Sequence, residues 1–133
     1  MKSWNISVSA WMLFLTQSIS GFAQDVPAPP SGASAQVLMG GQLYQQNCAL
    51  CHGAKGRDAT VFPRPIWGAG HDIGKFANAK GLFEYIQMLM PFDDPAKVDD
   101  AGKTAIVGYM LVRNGSLKAD QTLPLGGNQV PIQ

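Results

Sequence analysis

The stretch Gln45–Gly56, QQNCALCHGAKG, holds both cysteines of the chain and one of its two histidines. Cys48 and Cys51 stand three positions apart, and His52 directly follows the second. A disulfide between them would close so small a ring that it restrains little of the unfolded chain. A thioredoxin-like pair belongs after a strand of a βαβ unit, and no such pattern flanks this stretch. A zinc site needs four ligands and would have to draw in His71 from "WGAGHDIGKF".

C-x-x-C-H is also the pattern of covalent haem attachment. At a helix end the two sulfurs can form thioethers with the two vinyl groups of one porphyrin, while His52 is delivered beneath the iron as proximal ligand. That reading accounts for every cysteine: one haem c, covalent through Cys48 and Cys51.

Working outward, the 133 residues are 46% hydrophobic and 14% charged, enough for one domain with a modest core. "MKSWNISVSAWMLFLTQSISGFAQD" has Lys2, an apolar run over Trp11–Leu15, and small residues at Gly21 and Ala23. This is the layout of a signal peptide over residues 1–23, and Thr16, Gln17, Ser18 and Ser20 interrupt the run short of a membrane span. Stable membrane insertion after cleavage is therefore not expected. Residues 24–35, rich in Pro, Ala and Ser, read as a flexible leader.

The formal charge is 10 − 9 = +1, and loss of Lys2 with the signal brings it to about zero. Nothing in that balance provides the basic footprint of a nucleic-acid binder.

The run from Met39 to Gly115 resembles a class I c-type cytochrome domain. The resemblance implies an all-α cytochrome c fold, with crossed N- and C-terminal helices and a third helix around one haem, and export from the cytoplasm. The domain is expected over residues 36–118, with an extended C-terminal tail over 119–133. It also implies a methionine as sixth ligand. In "YIQMLMPFDDP" both Met88 and Met90 lie in the right region, and Met90 is preferred because Pro91 stiffens the loop behind it. His71 is the rival that would give bis-histidine coordination.

By the same analogy the carbonyl of Pro65, or that of Pro63, would accept the Nδ1 hydrogen of His52. Arg64 and Trp67 are candidates for holding haem propionates, because a guanidinium and an indole N–H both donate to carboxylates.

The frame for these residues reads as helical. Val37, Leu38, Gly41, Tyr44 and Cys48 fall on or near one face of the first helix. "DDAGKTAIVGYMLVRNG" supplies the last, with Asp99 or Asp100 as its cap, Ile106, Val107, Met110 and Leu111 as its apolar stripe, and Asn114 and Gly115 as its end. Gly40 or Gly41, Tyr44 and Tyr109 match the family's crossing contact. Met39 and Met110 are expected in the core. "AKGLFEYIQML" is the third helix, turning Leu82, Phe83, Ile86 and Leu89 toward the haem. Asp93, Asp94, Asp99 and Asp100 read as turn and cap residues, or as an acidic rim near the sixth ligand.

The function implied is a periplasmic one-electron carrier, not an enzyme. The end of the domain, "GYMLVRNGSLKADQTLPL", is similar to cytochromes associated with periplasmic dehydrogenases of quinoprotein alcohol-oxidising or sulfite-oxidising type. The electron donor would be such a dehydrogenase, and the acceptor another cytochrome or a terminal oxidase. The alternative is a haem enzyme or gas sensor whose sixth iron position is open.

Overall fold

The computed structural model describes residues 26–133. The expected signal peptide, residues 1–23, lies outside the described residues, as do the first positions of the leader. Helix α1 spans Ala35–Asn47, α2 Ala49–His52, α3 Ala79–Leu89 and α4 Asp100–Asn114. Short 3-10 turns lie at Ile73–Phe76 and Pro95–Lys97. Among the described residues there is no strand, only an isolated bridge between Asn78 and Pro131. The fold is mostly helical, as expected.

Each long helix starts where its sequence supplies an acceptor for an otherwise unpaired N–H. The Ser34 hydroxyl accepts from Val37, the Asn78 side chain from Gly81, and the Asp99 carboxylate from Gly102. Helix α4 ends at Gly115, whose φ of +81° allows its N–H to fold back onto Leu111 and Val112.

Helices α1 and α4 cross at Gly40. A Cβ built there would stand 1.9 Å from the Ala105 carbonyl oxygen, so the two backbones touch with no side chain between them. Gly41 faces the ring of Tyr109, with 3.1 Å between its would-be Cβ and the ring. Val37 and Tyr44 are fully buried on the same face as Gly40. Leu38 and Met39, expected inside, are 41% and 43% exposed. The reason is rotational: once Gly40 lies at the crossing, positions 37, 40 and 44 share the inner face and 38 and 39 turn away.

The two terminal segments are tied to this frame. The Arg113 guanidinium donates to the Ala28 carbonyl, and Ser34 N–H donates to Ala119 O. The Gln36 amide both donates to Leu123 O (2.9 Å) and accepts from Leu123 N (2.8 Å). The first N–H groups of α3, on Ala79 and Lys80, donate to Val130 O and Asn128 O. Residues 119–133, expected as an extended tail, thus supply acceptors that α3 cannot find within itself.

The crossing gives a direct test. Gly40→Ala should lower unfolding stability by about 1–3 kcal/mol or more, since backbone cannot yield to the new methyl. Gly108→Ala, where the nearest atom would be Gln36 Oε1 at 3.4 Å, should be neutral or stabilising by up to about 1 kcal/mol. Denaturant unfolding of the two holoproteins decides it; equal losses would place the crossing elsewhere.

Candidate functional site

Helix α1 ends into the motif. Cys48 N–H donates to Tyr44 O, and the Cys48 carbonyl then accepts from both Cys51 N (3.2 Å) and His52 N (2.9 Å). One turn therefore presents both thiols and the imidazole. The next residue, Gly53, has φ +80°, and a Cβ there would lie 2.1 Å from Arg57 O. The turn is held from α1 by Tyr44 Oη donating to Gly53 O and by the Gln45 amide donating to Ala54 O, each at 2.9 Å. Burial keeps the Tyr44 phenol protonated and able to donate.

Trp67 lies behind this turn, outside the lining of the cleft described below. Its ring sits edge-on to Tyr44 (5.1 Å) and to Tyr109 (5.7 Å). Gly56 makes room for it, since a Cβ at that position would be 2.6 Å from the indole.

In front of the turn is a cleft with two lobes, of about 500 and 140 Å³. His52, Phe62, Ile86, Met90 and Met110 line both lobes. Cys48, Cys51, Leu50, Val61 and Phe92 line the larger lobe. Its mouth is apolar and open: Leu50 and Phe92 are 88% and 87% exposed. Arg64, Asp72 and Lys75 line the smaller lobe, where Asp72 accepts from Lys75 (2.6 Å) and pairs with Arg64 (3.4 Å).

Met90 and Met88 part company here. Met90 directly follows α3, its N–H bonded to Ile86 O at 2.9 Å, and its extended backbone lets the side chain line the cleft. Met88 is 66% exposed and is not in the lining. His71 is also outside it, and its Nδ1 accepts from Gly74 N at 3.1 Å. Leu82 and Ile86 of α3 face the cleft as expected, whereas Phe83 is buried outside its lining and Leu89 is 46% exposed.

The Pro65 carbonyl accepts from Asp72 N–H at 2.8 Å, and His52 Nδ1 is buried with no partner. Burial also lowers the His52 pKa, against a smaller opposite effect of Asp72. A neutral imidazole is the form that binds metal. Cys48 and Cys51 are free, and burial together with the Cys51 charge pushes the Cys48 thiol up to about 12.

Two free thiols on the lining, one of them exposed, a neutral imidazole beside them, a thioether sulfur on the lining and cationic groups in the second lobe form a donor set that fits a covalently attached, carboxylate-bearing haem. The cleft volume is in the range of cofactor pockets.

Phe62 and Met110 are among the lining residues that sequence reasoning did not foresee. Phe62 sits edge-on to the His52 ring at 4.9 Å, and Met110, expected only as core, lines both lobes. The Val-Phe-Pro run after the motif was a signal for Phe62; nothing local distinguishes Met110 from a packing methionine.

The four aspartates of the 93–100 loop all have local partners. Asp93 pairs with Lys97, Asp94 caps the 3-10 turn through Ala96 N, Asp99 caps α4, and Asp100 accepts from the Gln87 amide.

The crossed helices and the attachment turn define a c-type cytochrome domain. Residues 35–110 match the model of the family described as cytochrome c oxidase, cbb3-type, subunit III, and the chain belongs to that family. Membership carries with it covalently bound haem c, for which Cys48 and Cys51 are the attachment pair. The comparison with curated proteins returned no match.

Among solved structures, the sulfane dehydrogenase SoxCD from Paracoccus pantotrophus aligns at a TM-score of 0.50 and 24% identity over 76% of this chain, which shows a shared fold. The thiosulfate dehydrogenase TsdBA from Marichromatium purpuratum aligns at 0.47 and 27% over 63%. The chain spans 57% of the first neighbour's length and 19% of the second's.

Two outcomes follow from the attachment turn. Gly53→Ala should cut the yield of covalent haem and lower Tm, at a cost of about 1–3 kcal/mol for the positive φ plus the clash. Haem staining of denatured protein and thermal melts read both effects. Cys48→Ala plus Cys51→Ala should leave no haem that survives denaturation and should abolish cooperative unfolding, because the apolar cleft walls would face water. A sharp, native-like transition in that variant without haem would show that the chain folds independently of the cofactor.

Proposed function

We propose that the protein is a periplasmic one-electron carrier in which His52 and Met90 are the axial ligands of the haem, and that it is not itself an enzyme. The observation that carries this reading is that Met90 and His52 line one cleft while Met88 and His71 stand outside it. Bound haem supplies reversible one-electron oxidation and reduction of iron.

The remaining work is done by the chain. His52 and Met90 would hold the haem iron from the protein, which would oppose binding of substrate or gas. Ile86, Ile106, Phe62 and Met110 keep the surroundings apolar. Arg64, with Lys75 beside it, offers donors to haem carboxylates across the smaller lobe. The exposed mouth around Cys51, Leu50 and Phe92 is where an electron would enter and leave.

The donor in this reading is a periplasmic dehydrogenase of the quinoprotein or sulfite-oxidising type, and the acceptor another cytochrome or a terminal oxidase. Its support is the similarity of "GYMLVRNGSLKADQTLPL" to cytochromes that serve such enzymes. No described helix is long and apolar enough to cross a membrane.

The test is spectroscopic. Wild type and Met88→Ala should show the weak far-red absorption of sulfur-ligated ferric haem and resist carbon monoxide when reduced. Met90→Ala should lose that absorption and bind carbon monoxide. Ready carbon monoxide binding by the wild type would instead mark an open sixth position and sink the carrier assignment.

A further inference from the structure

Lys103 is the charged residue most at odds with its surroundings. It lies in the first half of α4 and is 3% exposed. Its Nζ donates to the Gln87 carbonyl at 2.9 Å and the Pro95 carbonyl at 2.6 Å. Burying an ammonium is costly unless its donors are satisfied, and two neutral carbonyls are modest compensation compared with a carboxylate. A leucine or methionine would fill the same place without that cost. The position of the two acceptors gives the lysine a use.

Gln87 is in the last turn of α3, three residues before Met90. Its carbonyl is one of the last four of the helix, which have no intrahelical donor, and a cation at a helix C-terminus also meets the negative end of the macrodipole. Pro95 stands at the far end of the loop that leaves Met90. One ammonium therefore spans the segment on both sides of the sixth-ligand methionine and fastens it to α4. The Gln87 side chain adds a second tie to the same helix, donating to Asp100 at 3.1 and 3.2 Å. Helix α4 also supplies Ile106 and Met110 to the cleft, so the loop and the cleft wall share one support.

We propose that Lys103 is a positioning residue for Met90: its ammonium, bridging the carbonyls of Gln87 and Pro95, holds the loop so that the methionine stays on the cleft lining, where it would hold the haem iron. The inference rests on Met90 being the sixth ligand. It predicts that Lys103 acts on ligand lability more than on overall stability, since the bridge closes a loop at the rim of the site.

The test compares carbon monoxide binding to the reduced holoproteins and the far-red absorption of the ferric forms. Lys103→Met should keep covalent haem but bind carbon monoxide about tenfold faster or more than wild type, the range expected for losing hydrogen bonds from a charged donor. Its far-red absorption should weaken. Lys103→Arg, which keeps charge and donors, should recover much of the wild-type behaviour. Ser34→Ala, which removes the α1 cap, serves as a control that lowers Tm without changing carbon monoxide binding.

If Met90→Ala binds carbon monoxide and Lys103→Met resists it like wild type, the positioning role is refuted and the ligand assignment survives. If wild type itself binds as fast as Met90→Ala, the ligand assignment fails first. Should Lys103→Met yield no holoprotein, the wild-type protein still decides. The Lys103 ammonium protons, observed by ¹⁵N-resolved NMR, should exchange with water far more slowly than those of exposed lysines such as Lys118. Equal exchange would overturn the bridge.

Discussion

The structure depends on the bare contact between α1 and α4, where the Gly40 backbone meets the Ala105 carbonyl. Only glycine at that position lets the axes come so close, and the closeness has consequences in both directions along the helices. Toward its C-terminus α1 reaches Tyr44 and then the turn of Cys48, Cys51 and His52. Along α4, Ile106 and Met110 follow Ala105 within about one turn and a half, on the side facing that turn. The crossing thus sets the distance between the element that carries the attachment motif and the element that walls the cleft. A larger residue would separate them before any group in the site itself was altered.

The attachment turn is short and could not hold its shape alone, since isolated helical turns of four residues are unstable in water. It is supported from behind. Tyr44, Trp67 and Tyr109 form a ring cluster with tilted or edge-on contacts, each pair adding about 0.5–1.5 kcal/mol beyond burial. Tyr44 also donates to Gly53 O, so the same side chain that packs the crossing fixes the residue after His52. Trp67, considered from sequence as a partner for haem carboxylates, packs in this cluster behind the turn. Its burial and the glycine that accommodates it are facts of packing between distant segments, which no local pattern announces.

What could be read from the sequence follows the same division. The Cys48, Cys51 and His52 motif is local, and so are the Ser34, Asn78 and Asp99 caps and the Gly115 stop; short-range chemistry of this kind leaves a signature at fixed spacing. The family resemblance supplied the crossing, but periodicity put Leu38 inside and the usual packing role of methionine put Met39 there. The helix could be rotated by one position without changing its composition, and only the contact with Ala105 selects the rotation. Met90 and Met88 differ by two positions on one helix end, and their fates separate because α3 stops at Leu89. Lys103 was illegible for another reason: a lysine in an amphipathic helix is ordinarily on its wet face, and its two acceptors are backbone carbonyls that carry no side-chain signal.

The charges of the molecule are mostly spent internally. Asp93, Asp94, Asp99 and Asp100 each have a local partner, and Arg64 and Lys75 share Asp72. With a formal charge of only +1 on the whole chain, little long-range field is left to draw a partner from a distance. The feature that does project outward is the apolar mouth around Cys51, formed by Leu50, Val61 and Phe92. Apolar contact acts over short range and is not directional, so a partner reaching this mouth would be selected mainly by the fit of its surface. Such an arrangement favours brief encounters over a tight complex unless further surface is engaged, which suits the carrier role proposed above.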